Sequence, residues 1–399
     1  MLKPKPASAL LALAASLSAP VQTEAVDPDR LLLYSYKRLS VRPQLVVAEA
    51  FSDNVYFRET GVESDFITLI SPGVKFQIGR KDEEYVALDY NFDNYFYASE
   101  DSLNAQQHRL ALAGRLEAKR IKLEGKDTVE FLSGVLSGSL AATGRKVDRF
   151  VNDHTYMVTY DFSDKTSLYG RGTYQEVDYE NSVPLYDLNT LVGTLGAGYK
   201  PFTKTRFFGE VYYGQTAVNP NAVLVKPPHS EFIGGFLGVT GDFTEKLQGT
   251  VKAGYEYRVF SDNTPTPSAP VVELGLTYKL SEKTQLGLAY NKRTAVSVES
   301  ARQSYSIDQI ILTASQWIGT GERFRASARV AYEHYAYETT GTLLNRTDQY
   351  LRATAELTYF FKIWLRGNLG YSFEKFDTDF TGAFDYDVNQ VILSVSIGY

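Results

Sequence analysis

Apolar and polar residues alternate with a period of two along most of the chain. In the stretch LTYKLSEKTQLGLAY, Leu274, Leu276 and Tyr278 share one face, whereas Thr277 and Lys279 lie on the opposite face. This period is typical of a β-strand with two different environments, and it does not fit a helix. The same alternation recurs at residues 86–92, 155–162 and 351–359.

Short polar turns follow each other along the chain at intervals of about 40 residues. They are FSDKT from Phe162, FTKT from Phe202, FTEKL from Phe243 and LSEKT from Leu280. Between them lie pairs of strands of roughly 9 to 15 residues, joined by longer and more variable segments. The pattern predicts an all-β fold, a single antiparallel transmembrane β-barrel of about 18 strands (16 to 20), with short periplasmic turns and longer extracellular loops.

Two other β architectures compete with a barrel. A propeller also repeats at 40 to 45 residues, but each of its repeats contains four short strands. A soluble sandwich has strands of about 5 to 6 residues, shorter than those predicted here. Strand length, an even count and the turn asymmetry all favour the barrel.

The last ten residues, QVILSVSIGY, contain no charge and end on an aromatic side chain. Because a barrel has no free edge, its last strand must pair with the first and cannot fray. The segment also resembles the C-terminal signal that the barrel-assembly machinery reads in outer-membrane proteins, which predicts that machinery as a partner. The residues of this signal alternate along the strand and are Val391, Leu393, Val395, Ile397 and Tyr399.

The N-terminus has the layout of a secretory signal peptide. Two lysines precede an apolar run from Ala7 to about Val21, and Thr23 and Ala25 are the small residues expected before a cleavage site. The run is short for a membrane anchor. The predicted organisation is a signal peptide at 1–25, a short periplasmic segment at 26–40 and an outer-membrane barrel at 41–399. The expected location is the outer membrane of a Gram-negative bacterium, in contact with its lipid.

If apolar positions face lipid, the alternate positions face the lumen, and many of them are arginines. One reading is a conduit that favours anionic or polyhydroxylated solutes, because guanidinium groups pair with carboxylates. The other is that these charges pair across neighbouring strands and hold the wall together. The candidate pore-lining residues are Arg293, Arg323, Arg325, Arg329, Arg352 and Arg366, with Arg109, Arg115, Arg171 and Arg206 on earlier strands.

Composition argues against several other functions. The 399 residues include no cysteine, which excludes disulfides and thiolate chemistry. None of the four histidines has the spacing of a metal motif, and no G-x-S-x-G elbow is present. We therefore expect no enzyme, no metal and no cofactor. The net charge of −6 and the absence of a basic motif argue against nucleic-acid binding.

The stretch SDNVYFRETGVESDFITLISPGVKF, residues 52–76, resembles the beta-barrel porin type 2 family. The matching residues are Ser52, Asp53, Asn54, Ser64, Asp65 and Pro72, which we expect to shape the first loop; Pro72 would remove one ladder donor within a strand. The resemblance implies an outer-membrane barrel that serves exopolysaccharide export, assisted by periplasmic export partners, because no periplasmic domain precedes the barrel.

The sequence thus predicts passive passage of solute or polymer through a charged lumen, with exopolysaccharide export as the first expectation. A general diffusion porin for small anions and a closed structural or adhesive barrel remain as alternatives. No predicted loop is long enough to fold into the lumen as one constriction loop.

Overall fold

A computed structural model describes residues 32–399 except 81–82, 139, 141–143, 181–182, 220–228, 262–267, 300–303, 322, 338–345, 381–384 and 399. The predicted signal peptide at 1–25 and the terminal Tyr399 therefore lie outside the described residues. Within the described part, no helix has the length and apolar character needed to cross a bilayer.

The described chain is almost entirely β-structure, and it includes a single turn of 3-10 helix at Asp101–Leu103. The strands are Tyr34–Tyr36 (β1), Leu39–Ser52 (β2), Asp65–Gly79 (β3), Tyr85–Tyr97 (β4), Ala105–Ala118 (β5), Ile121–Val135 (β6), Lys146–Asp161 (β7), Thr166–Tyr179 (β8), Asp187–Tyr199 (β9), Thr205–Asn219 (β10), Ser230–Asp242 (β11), Leu247–Phe260 (β12), Ala269–Lys279 (β13), Thr284–Val296 (β14), Ser304–Ile318 (β15), Phe324–Tyr337 (β16), Arg346–Lys362 (β17), Leu365–Thr378 (β18) and Tyr386–Ile397 (β19).

Strands β2 to β19 form a closed antiparallel barrel of 18 strands, which confirms the predicted fold class. Each strand pairs with its neighbours in the sequence, and the last strand pairs with the first from Gln390 beside Ser52 to Ile397 beside Leu45. The apolar alternation at the C-terminus therefore belongs to the seam that closes the sheet. Closure leaves this strand no free edge, as the sequence predicted.

The short strand β1 pairs with the first three residues of β2, on the edge that β19 leaves free. The barrel begins at Leu39, two residues before the predicted boundary at residue 41. Part of the predicted periplasmic segment 26–40 thus adds to the barrel wall.

The connections have different lengths at the two ends of the barrel. At one end, which we call the turn end, eight connections contain two to five residues; at the other, the loop end, nine connections contain seven to twelve. We number the loops in chain order, so that loop 1 is 53–64, loop 3 is 136–145, loop 4 is 180–186 and loop 7 is 297–303.

Side-chain exposure separates the outer face of the wall from the lumen. Large apolar side chains at alternate positions are exposed on the outer face, for example Leu195 at 69%, Val211 at 63% and Leu237 at 77%. The positions between them, such as Thr194, Glu210 and Tyr212, face the inside of the barrel. The period of two that was visible in the sequence is therefore the division between the two faces.

Pro72 lies in the middle of β3, within a strand as expected from the sequence. The β3–β4 pairing is interrupted at Ser71 and Pro72 and resumes at Gly73 in the same register. A side chain bridges the gap, because the Ser71 hydroxyl donates to Asp93, 2.5 Å away. Proline therefore costs local ladder bonds without opening the wall.

Candidate functional site: the lumen of the barrel

Charges on the early strands of the lumen wall pair with one another. Arg109 lies 3.0 Å from Asp93 and 3.4 Å from Glu130, so that β4, β5 and β6 share one charge cluster. Farther around the wall, Arg171 lies 3.3 Å from Glu210. Charged groups on neighbouring strands stabilise the sheet when their signs are opposite. This part of the wall supports the interpretation in which lumen charges pair across strands and hold the barrel together.

An aromatic layer covers the inner side of strands β8 to β12. The rings of Tyr169, Tyr212 and Phe232 are less than 10% exposed, and cations cover two of them. The guanidinium carbon of Arg206 lies 5.1 Å from the Tyr169 ring centre, and that of Arg258 lies 4.2 Å from the Phe232 ring centre. Cation–π contacts of this kind attract the charge to the ring face. The layer thickens this side of the wall and fills part of the lumen.

Glycines on the neighbouring strands make room for these rings. Gly196 is the register partner of Tyr169, and Gly234 is the register partner of Tyr212. A Cβ atom at either glycine would overlap the tyrosine ring beside it. Each ring can therefore lie flat against its neighbour's backbone, as in aromatic–glycine pairs of other sheets.

Farther around the lumen wall, strands β14 to β18 carry unpaired arginines. None of the described residues forms an ion pair with Arg293, Arg325, Arg329 or Arg366. Arg293, Arg325 and Arg329 are exposed, although they lie on the inner face of the wall. Exposure on an inner face means contact with the water of the lumen. These charges are therefore free to meet a solute.

The strand register arranges the inner residues around Arg325 and Arg329 in three parallel rows. The first row is Thr313, Arg329, Thr354 and Ser372; the second is Ser315, Ser327, Glu356 and Gly370; the third is Trp317, Arg325, Thr358 and Asn368. Rows two residues apart are about 7 Å apart along the strands. Glu356 therefore lies in the row between the two arginines.

A cavity of about 520 Å³ lies against the first two rows and reaches Arg325 in the third. Its inner lining is mostly polar: it includes Thr277, Gln285 and Ser315 with both arginines and Glu356, and it also includes Ile392. The contrast with the aromatic layer makes the lumen asymmetric, since one wall is thick and packed and the other is thin, polar and charged.

Loops fill part of the lumen at the loop end. Leu136 of loop 3, Val183 and Leu185 of loop 4 and Val147 at the start of β7 are all 1 to 3% exposed. Val298 of loop 7 packs against them. Because loop 4 follows β8 and loop 7 follows β14, six strands farther around the barrel, this contact spans the mouth. Burial of these apolar side chains stabilises the loops there.

Two polar contacts reinforce this cluster. The Tyr186 N–H donates to the Val298 carbonyl, 2.9 Å away. The guanidinium of Arg346, which is 8% exposed, lies 3.0 Å from the Glu299 carboxylate and 2.8 Å from Asp348. Burial raises the pKa of Glu299 above its ordinary value and outweighs the opposite effect of Arg346. Loop 7 thus contacts β17 through Glu299 and Arg346, at a site where burial disfavours the ionised form of the glutamate.

Residues of the motif at 52–65 fix loop 1 to its neighbours. Asp53 accepts hydrogen bonds from the backbone and side-chain nitrogens of Asn389, both at 2.7 Å. The Asn54 amide donates to the Arg58 carbonyl at 2.7 Å, within the loop. Asp65 accepts backbone N–H bonds from Ser99 and Glu100, which belong to loop 2 at 98–104. Ser52 is fully buried beside Gln390, and Ser64 is exposed.

The structure divides the predicted pore-lining arginines into three groups. Arg109, Arg115, Arg171 and Arg352 form ion pairs with Asp93, Glu117, Glu210 and Glu374, and Arg206 lies against Tyr169. Arg293, Arg325, Arg329 and Arg366 remain unpaired on the inner face. Arg323 precedes β16 and lies in the turn at residues 319–323. It therefore differs from the others, since it is not on a strand.

Sequence reasoning missed the filled mouth and the aromatic layer. It predicted no single long constriction loop, and no loop exceeds twelve residues, but three ordinary loops meet inside the mouth. The apolar residues Leu136, Val183 and Val298 in otherwise polar loops were the available signal. Among the described residues, no group of three or more His, Asp or Glu side chains could hold a metal ion.

Comparisons with known proteins found neither a matching family model nor a matching curated protein. Solved structures with a similar outline include Acinetobacter baumannii OccAB4, at 11% identity and a TM-score of 0.46, which covers 94% of this chain and 100% of that one. Pseudomonas aeruginosa OpdK with vanillate has 11% identity and a TM-score of 0.47, covering 90% and 99%. The ferric-catecholate import receptor Fiu from E. coli K12 has 9% identity and a TM-score of 0.45, covering 92% and 82%. Nothing about the function of this chain follows from values this low.

Proposed function

We propose that the protein is an outer-membrane channel for the passive diffusion of small anionic solutes. The observation that carries this proposal is the opposite character of the two faces of one closed wall. Leu195, Leu237 and Leu393 are more than 60% exposed on the outside, whereas Arg325 and Arg329 are exposed on the inside. A soluble protein rarely leaves so continuous an apolar surface in water. A barrel in lipid around an aqueous lumen accounts for both faces.

Tyrosines on the outer face support the membrane placement. Six tyrosine hydroxyls are each hydrogen-bonded to a polar side chain on the adjacent strand, always two residues nearer the loop end than the tyrosine's register partner. The pairs are Tyr90 with His108, Tyr156 with Asp127, Tyr174 with Asn189, Tyr290 with Asp308, Tyr332 with Gln349 and Tyr371 with Asn389. Tyrosine favours the boundary between hydrocarbon and water, because its ring is apolar and its hydroxyl is polar. This ring of tyrosines would mark the outer-leaflet boundary.

The unpaired arginines support a preference for anions. Charges that line an aqueous pore set the selectivity of what passes. Arg109 and Arg171 are neutralised by carboxylates, so their field in the lumen is weak. Arg293, Arg325 and Arg329 have no such partner among the described residues. The thin side of the lumen is therefore the path that an anion would take.

The filled mouth favours small solutes over a polymer. Exopolysaccharide export, which the family resemblance implies, would require the contacts among loops 3, 4 and 7 to be broken along the path of the chain. Val183 and Leu185 are almost fully buried there. Diffusion of a small solute needs only the space left beside the cluster. General diffusion is therefore the function that the geometry supports best.

A planar-bilayer experiment tests the proposal. The purified mature chain, recovered from the outer-membrane fraction, should conduct, and its reversal potential in a salt gradient should indicate anion preference. The double variant Arg325→Glu and Arg329→Glu should weaken or reverse that preference. Lys165→Glu, in a turn outside the lumen, makes the same type of charge change and should leave it unaltered. A barrel that does not conduct would refute the channel. An ion selectivity that is unchanged by the arginine substitutions would refute the role of the arginines.

A further inference from the structure

We propose that the cavity beside Arg325 and Arg329 is a binding subsite for polyhydroxylated carboxylates, the chemical class of open-chain sugar acids. The inference rests on the proposed channel function and adds a substrate class to it. It depends on three features of the cavity: two unpaired cations, a lining of hydroxyl groups and one carboxylate placed between the cations.

The two arginines supply the charge that a carboxylate requires. A guanidinium group binds a carboxylate through two parallel N–H donors, which makes such pairs stronger than neutral hydrogen bonds. Neither arginine has a carboxylate partner among the described residues. A solute therefore does not have to displace an existing ion pair before it binds. Arg352 shows the contrast, since its Nε already donates to Glu374, 3.1 Å away.

The hydroxyl groups supply partners for a polyol. Six inner-face residues of the lining carry one, namely Thr277, Thr313, Ser315, Ser327, Thr354 and Ser372. A hydroxyl both donates and accepts, so such a wall can exchange hydrogen bonds with each hydroxyl of a passing sugar acid. An alkyl chain of the same length would leave these groups without partners, which is costly where water is displaced. The inner-face residues that line the cavity carry no aromatic ring, so an aromatic acid would find no stacking partner there.

Glu356 adds selectivity between anions. Its Oε1 atom accepts a hydrogen bond from the Thr358 hydroxyl at 2.8 Å, which leaves the other carboxylate oxygen free among the described residues. It lies one row, about 7 Å, from each arginine. A solute bound to an arginine would therefore place its second half near Glu356. A hydroxyl-bearing chain can donate to this carboxylate, whereas a chain without donors meets an unsatisfied charge.

Trp317 provides a direct reporter of binding. Its ring centre lies 6.0 Å from the Arg325 guanidinium carbon, and the chain has only one other tryptophan, Trp364. In the full mature barrel carrying Trp364→Phe, Trp317 fluorescence can be titrated with gluconate, with hexanoate and with sorbitol. Gluconate has both the carboxylate and the hydroxyls, hexanoate has only the carboxylate and sorbitol only the hydroxyls. We expect gluconate to bind roughly tenfold more tightly than either, the effect of about one charged hydrogen bond.

Variants then separate the subsite from the general field of the lumen. Arg325→Gln or Arg329→Gln should weaken gluconate binding roughly tenfold, and Glu356→Gln should reduce the preference for gluconate over hexanoate. Arg293→Gln removes an exposed inner-face arginine that does not line the cavity, and it should weaken gluconate binding much less than Arg325→Gln or Arg329→Gln. Equal binding of gluconate and hexanoate, or an equal effect of Arg293→Gln, would overturn the subsite. Since fluorescence does not require conductance, a silent channel that binds gluconate would refute the channel proposal alone.

Discussion

The backbone N–H of Gly138 donates a hydrogen bond to the Tyr386 hydroxyl, 2.7 Å away and 248 residues later in the chain. The same hydroxyl donates to Glu374 at 2.9 Å, and Glu374 is paired with Arg352. Loop 3 is therefore tied to β17, β18 and β19, which lie farther around the barrel than its own strands. This chain of contacts holds the loop inside the mouth.

Replacing Tyr386 with phenylalanine should release loop 3. The variant keeps the ring, which packs on Phe376, but removes the acceptor for Gly138 and the donor to Glu374. Loss of a buried hydrogen bond costs about 1 to 3 kcal/mol. We expect a larger single-channel conductance and a lower thermal unfolding temperature. Both can be measured on the same preparation, by bilayer recording and by circular dichroism.

Tyr371→Phe is the matched control for this variant. Its hydroxyl donates to Asn389 on the same pair of strands, but on the outer face. It should alter stability slightly and leave conductance unchanged. If Tyr386→Phe and Tyr371→Phe conduct alike, the tie to loop 3 does not limit the aperture.

Acidification should narrow the mouth through Glu299. Because burial raises its pKa, the protonated carboxyl is favoured when loop 7 is docked; Arg346 opposes this effect and Asp348 adds to it. The docked arrangement is therefore most stable at pH values below the ordinary pKa of a glutamate, and it loses stability as pH rises through the raised pKa. Single-channel conductance should fall as pH is lowered across this range.

Glu299→Gln should remove this pH dependence. The amide mimics the neutral carboxyl, so conductance should remain at its low-pH level throughout. Glu63→Gln, in exposed loop 1, should retain the wild-type response. A conductance of Glu299→Gln that still follows pH would assign the effect to another group.

Adjacent residues on opposite faces offer a test of the lipid boundary. Leu312 is 51% exposed on the outer face near the middle of β15, and Thr313 is its inner-face neighbour. Leu312→Arg should cost about 2 to 4 kcal/mol in folding into bilayers, the cost of a cation at the lipid-facing midplane. Thr313→Arg should cost much less, because the lumen hydrates the charge. Urea titration of refolding into lipid vesicles measures both, and equal costs would contradict an outer face in lipid.

Much of the architecture was predictable because alternation acts locally. A one-residue shift would turn every side chain of a strand to the other face, so the pattern fixes which residues face the lumen. Long strands with short turns then lead to closure, and the apolar alternation from Val391 to Ile397 fits the closing seam. The lumen positions of Arg325 and Arg329 follow from the same rule.

The pairing of those charges was not predictable, because it depends on register between strands. Arg352 and Arg329 look alike in sequence, but the register places Arg352 beside Glu374 and Arg329 between Thr313 and Thr354. A bulge between Phe360 and Lys362 shifts that register at the turn end. Contacts across the mouth are even harder to predict from the sequence than strand register, because Gly138 and Tyr386 are neighbours only in the closed barrel.

The glycine beside Tyr212 should tolerate no side chain. A Cβ at Gly234 would overlap the Tyr212 ring and approach the Tyr255 carbonyl at 2.8 Å, so the ring would have to leave its position against the wall. That movement would also break the bond from the Tyr212 hydroxyl to Glu256, 3.1 Å long. We expect Gly234→Ala to destabilise the barrel by about 1 to 3 kcal/mol, the usual cost of overpacking.

Gly193→Ala is the control, because a Cβ there has no atom within 4 Å. Adding Tyr212→Leu to Gly234→Ala should recover part of the loss, which a double-mutant cycle in urea would measure; independent, additive effects would show that ring and glycine are not coupled.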